Sequence, residues 1–155
     1  KVQRSSSSGG LALDPRAPQA FTQVQAQAVA LAAQREAHAG RAVAIAQLVE
    51  AGKLSYDDRV GKILPDYPNK AVAEKVTIHQ LLTHTSGLGS YWNAKFDARR
   101  AQIKTVADYL ALFADEPLQF EPGARFEYSN SGYIVLGAII EKVTGKSYYD
   151  YVREH

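Results

Sequence analysis

Apolar residues recur at helical spacing in four stretches of this chain, and helix caps and turn formers separate them. Val43, Ile45, Ala46, Leu48 and Val49 form a stripe ended by Gly52, which predicts a helix over 43–51 with a C-terminal glycine cap. Residues 54–68 mix polar and apolar side chains with Asp57-Asp58, Pro65 and Pro68, and read as an extended loop. Thr77 and Gln80 have capping-box spacing, with Ile78, Leu81, Leu82 and Thr85 on one face behind them. They predict a helix that Gly87 stops. A third helix is expected over 105–114 through Val106, Tyr109, Leu110 and Phe113, and Glu121-Pro122-Gly123 is a turn. Tyr133, Leu136, Ile139, Ile140 and Val143 give the strongest pattern, a helix over 132–143 with Gly145 behind it. A last helix begins near Ser147. No strand pattern of any length and no repeated unit stands out.

Composition divides the chain near residue 42. Residues 1–42 carry five basic and two acidic side chains, a single aromatic in Phe21, and a flexible Ser5–Gly10 run. Their Val24–Gln34 stretch of Ala, Gln and Val permits a helix but offers only a weak apolar stripe. The remainder holds fourteen of the fifteen aromatics and has the apolar residues for a core. A net charge of +2 does not argue for nucleic acid as partner. No apolar run reaches the length of a membrane span. Without cysteine there is no disulfide, thiolate metal site or thiol catalysis. There is no methionine and no signal-peptide pattern, so the chain reads as a piece of a longer protein.

Four segments carry more than periodicity. They are Gln47-Leu-Val-Glu-Ala-Gly-Lys-Leu-Ser-Tyr-Asp-Asp58, Val76-Thr-Ile-His-Gln-Leu-Leu-Thr-His-Thr-Ser-Gly-Leu88, Phe120-Glu-Pro-Gly-Ala-Arg-Phe-Glu-Tyr-Ser-Asn-Ser-Gly-Tyr133 and Leu136-Gly-Ala-Ile-Ile-Glu-Lys-Val-Thr-Gly145. In this order and spacing, residues 43–155 resemble the beta-lactamase-related serine hydrolases: class C beta-lactamases, D-alanyl-D-alanine carboxypeptidases and related esterases. The resemblance implies an α+β fold, a sheet flanked by helices plus a helical subdomain, of which this mostly α fragment supplies the helical part. It implies an amide or ester hydrolase working through an acyl-serine, on a small-molecule or peptide substrate, with no cofactor, in a family often periplasmic or secreted.

In that family Ser-x-x-Lys, Tyr-x-Asn and a downstream Lys-Thr-Gly or His-x-Gly meet in one cleft. A serine hydroxyl needs a neighbouring base, and a tyrosine can be that base only where cations favour its phenolate. Tyr128-Ser129-Asn130 matches the second motif, so the resemblance makes Tyr128 the base and Asn130 the group that binds and orients. The first motif is missing, since no serine stands three places before any lysine. Counting back from Ala44–Glu50 puts its serine and lysine near Arg35 and His38. His38-Ala39-Gly40 fits the third motif by letter but precedes Tyr128, and Lys142-Val-Thr-Gly145 sits in a helix tail. The strand for that motif is expected beyond residue 155. The chain as written is therefore expected to be inactive. Either residues 1–42 are out of frame or foreign to the family, or the protein is a rearranged, non-catalytic penicillin- or peptidoglycan-binding relative. A gene fragment that does not fold is the remaining alternative.

Other candidates have plainer readings. Asn130 also suits a helix N-cap, and Ser129 and Ser131 read as cap and loop residues. His84 and Ser86 are two apart, too close in sequence to face each other on a helix. His79 and His84 have the wrong spacing for a helical zinc pair. Tyr91 and Trp92 either line a cleft or cover core, and Tyr148, Tyr149 and Tyr151 are expected to pack.

Overall fold

Residues 35–154, the part of the chain that the computed structural model describes, hold eight helices and no strand beyond an isolated antiparallel bridge between Arg59 and Thr77. From Ala37 onward they belong to one unit, Ala37–His155. The Ser5–Gly10 run and the Val24–Gln34 stretch lie outside the described residues. The helices are α1 (residues 35–50), α2 (Val60–Ile63), α3 (Lys70–Lys75), α4 (Ile78–Leu82), α5 (Ala94–Arg99), α6 (Val106–Leu110), α7 (Asn130–Thr144) and α8 (Tyr148–Glu154).

The core is built around α7, which packs against α2, α4, α6 and α8. Every residue from Ser131 to Ile140 is buried, so this helix is apolar all round in the manner of a central one. Ile134, Val135, Ile139 and Ile140 are poor helix formers on propensity. Burial outweighs that, each fully buried aliphatic side chain contributing about 1.5–3 kcal/mol. Gly145 ends α7 at φ +69°, its N–H donating to the Glu141 carbonyl at 2.9 Å.

The predicted capping box closes in both directions. Thr77 Oγ1 accepts from the Gln80 N–H at 3.2 Å, and the Thr77 N–H donates to Gln80 Oε1 at 3.0 Å. Several expectations need correction. The 54–68 loop contains α2, whose Val60 N–H donates to the Val76 carbonyl at 2.9 Å. Helices α3 and α5, with Asn69 and Asn93 as caps, were not read from the sequence. The helix expected over 105–114 is regular only through Leu110 and continues as turns. The α4 helix ends at Leu82, not at Gly87. Gly87 instead marks a crossing of two loops: at φ +78° its carbonyl accepts from the Gln119 N–H at 2.9 Å, and a Cβ there would lie 2.3 Å from the Phe120 carbonyl oxygen. Tyr91 is core while Trp92 is 53% exposed, and Tyr149 is exposed whereas Tyr148 and Tyr151 pack.

Candidate functional site

The segment carrying Tyr128 is stitched to the turn after α4. The Gly123 N–H donates to the Thr85 carbonyl and the Glu127 N–H to the His84 carbonyl, both at 2.8 Å. The Ser129 N–H donates to His84 Nδ1 at 3.2 Å. His84 thus holds the backbone on both sides of Tyr128, and does so at φ +56°, in the left-handed region. Asn130 is not the cap of α7 as the sequence allowed. Ser129 is, its Oγ accepting from the Gly132 N–H at 3.3 Å. Asn130 is the first helical residue, and its side chain is left facing Tyr128.

Tyr128 is 47% exposed. Its Oη lies 3.3 Å from Asn130 Oδ1 and 3.0 Å from His38 Nδ1. His38, the position counted for the motif lysine, stacks on Tyr133 with ring centroids 4.0 Å apart. Tyr133 is anchored in turn, donating from Oη to the Leu82 carbonyl at 3.0 Å. The His84 ring completes the cluster, 4.5 Å from Tyr128 and 6.0 Å from His38 between centroids.

The electrostatics favour neutral rings. Burial first, then the Arg41 guanidinium and His84, pull His38 down to about 4, against an opposing hydrogen bond to Asn130. Burial lowers His84 as well. Because His84 Nδ1 accepts from a backbone N–H, its proton resides on Nε2, which removes that nitrogen as a metal ligand. Among the described residues no group of three or more His, Asp or Glu could hold a metal ion, and His79 points to solvent apart from this cluster. Sequence reasoning brought Tyr128 and Asn130 forward and located His38 only by counting. The part played by His84 depends on a left-handed backbone that no spacing announces.

Helical core, bridged loops and the Tyr-x-Asn turn fit a fragment of the beta-lactamase-like fold. Residues 41–155 match the Beta-lactamase family model, and the chain belongs to that family, whose members are serine-hydrolase-like. It is similar to penicillin-binding protein 4* of Bacillus subtilis strain 168, with 38% identity over 117 residues covering 72% of this chain and 25% of the relative. Protein flp of Staphylococcus aureus strain MW2 is 36% identical over 73% of the chain and 23% of its own length. Among solved structures, a penicillin binding protein from Bacillus halodurans superposes with TM-score 0.64 at 40% identity, over 76% of this chain and 35% of that one. A D-stereospecific amidohydrolase from Streptomyces sp. gives 0.66 at 32% identity, over 76% and 38%. The chain thus spans about a quarter of the length of the curated relatives it matches. No described helix is long and apolar enough to cross a membrane.

Proposed function

We propose that this chain is one wall of an acyl-serine hydrolase cleft, with Tyr128 as its proton-transfer group and Asn130 as the residue that orients it and binds substrate. The supporting observation is the 3.0 Å approach of Tyr128 Oη to His38 Nδ1. It joins the Tyr-x-Asn turn to the α1 position at which the motif lysine falls by count. Whole relatives would hydrolyse a beta-lactam, a D-alanyl peptide or a small ester. The D-stereospecific amidohydrolase among the structural neighbours supports the amide part of that range.

This chain as written performs no acyl-serine turnover, because Arg35 and His38 stand where serine and lysine fall. A neutral imidazole also cannot favour a phenolate as an ammonium does. Incubation with a chromogenic cephalosporin is expected to give no steady-state hydrolysis. Hydrolysis that Tyr128→Phe abolishes would overturn the reading. The surviving Tyr128–Asn130 hydrogen bond favours a second reading, a binding module that kept its cleft wall. It requires saturable, non-covalent binding of penicillin or a peptidoglycan fragment.

A further inference from the structure

Three tyrosines of this chain are exposed to similar degrees: Tyr56 at 41%, Tyr128 at 47% and Tyr149 at 55%. Solvent access therefore does not separate them. Their partners do. Tyr128 Oη sits 3.0 Å from His38 Nδ1, nearer than the 3.3 Å to Asn130 Oδ1, the other acceptor within reach of its one proton. The hydroxyls of Tyr56 and Tyr149 hydrogen-bond to no imidazole among the described residues. The His38 ring is fixed by its stack on Tyr133, interplanar angle 18°. It is neutral at pH 7, with Arg41 from its own helix, His84 from the turn after α4, and Tyr128 and Tyr133 from the loop and α7 as its titratable or charged neighbours. Behind Tyr128 begins α7, a 15-residue helix whose N-terminal dipole favours negative charge developing nearby.

We propose that Tyr128 and His38 form a nucleophile–base pair that accepts an acyl group from activated esters, giving O-acyl-Tyr128 without any serine. The phenolic oxygen of Tyr128 attacks the ester carbonyl while its proton passes to His38 Nδ1. The tetrahedral adduct collapses by breaking the bond to the leaving-group oxygen, and the imidazolium returns its proton to that oxygen. The products are the tyrosyl ester and the free alcohol or phenol, with His38 neutral again. Nothing further is consumed, and the step needs neither Ser-x-x-Lys nor the downstream third motif. It rests on the same Tyr128–His38 contact as the cleft reading above but not on acyl-serine chemistry. A paired base adds about 10²–10⁴-fold when its pKa matches the operating pH. His38, being a weak base, belongs at or below the lower end of that range.

The probe is 4-nitrophenyl acetate, added to the full chain at pH 6.5, with acetylation of each tyrosine followed by peptide mass mapping. Tyr128 is expected to gain one acetyl group at least about tenfold faster than Tyr56 or Tyr149, a factor set by general-base assistance. Unassisted tyrosines react through the phenolate, and their rates rise about tenfold per pH unit below a pKa near 10. Tyr128 should show a flatter profile between pH 5 and 8. His38→Phe keeps a ring against Tyr133 and should bring Tyr128 down to the rate of Tyr56. The wild-type comparison of the three tyrosines decides the matter even if that variant folds poorly. Equal rates at all three sites, or a Tyr128 rate that rises tenfold per pH unit like the others, overturns the proposal.

Discussion

His84 does two jobs from one unusual backbone position. Its φ of +56° costs on the order of 1–3 kcal/mol for a non-glycine residue, and histidine is among the side chains that tolerate it best. In return its carbonyl and ring flank Tyr128 through Glu127 and Ser129. His84→Ala keeps the strain and loses the ring acceptor, so urea unfolding should show a loss of about 2 kcal/mol. His84→Asn, better suited to the left-handed region, should lose less. Protonation has a definite sign here. With His38 depressed to about 4 from an ordinary 6.5, the unfolded chain binds more protons than the folded one between those values. Stability contributed by the neutral ring is therefore present above pH 6.5 and lost as pH falls toward 4. The melting temperature should drop across that window, and His38→Phe should flatten the drop. Of this residue-scale detail the sequence showed Tyr128 and Asn130 through their motif. It could not decide between Ser129 and Asn130 as cap, because both are good cappers one position apart.

Helices that were legible have either long periodicity or complete caps. The α7 pattern marks Tyr133, Leu136, Ile139 and Ile140, all buried, and ends on a half-buried Val143. It misses Ile134, Val135 and Ala138, which are buried as well. Thr77 with Gln80 marks the start of α4. The missed helices α3 and α5 have six residues each, less than two turns, which is too short for an apolar period to register. Their asparagine caps also read as ordinary loop residues. Packing predicts where damage falls. Ile139 is fully buried at the centre of α7, so Ile139→Ala should cost about 2–5 kcal/mol in chemical denaturation. Thr77→Ala, which opens the capping box at the end of a short helix, should cost about 1 kcal/mol.

At the scale of the molecule, helices from Ala37 onward close around α7, yet one side carries aromatic surface at Phe126, 68% exposed, beside Tyr128. The chain covers 35% of the Bacillus halodurans structure it superposes on. Exposed aromatic rings of this kind give environment-sensitive dyes a place to bind. Phe126→Lys should lower dye binding and raise solubility without shifting the melting temperature by more than a few degrees. The helical half of the fold was readable because its signals are local. The serine and lysine that the proposed cleft lacks were readable only as absences, counted back from Glu50.

The count from Glu50 carries the central proposal, that α1 is the motif helix and that residues 1–42 do not carry the family's own sequence. Reading the encoding DNA across codons 25 to 45 in all three frames tests it most directly. The expected result is a second frame that encodes Ser-x-x-Lys, with its serine about fifteen residues before Glu50 and its lysine in register with His38. An intact single frame with no such motif in the others would contradict the account and leave a non-catalytic relative in its place.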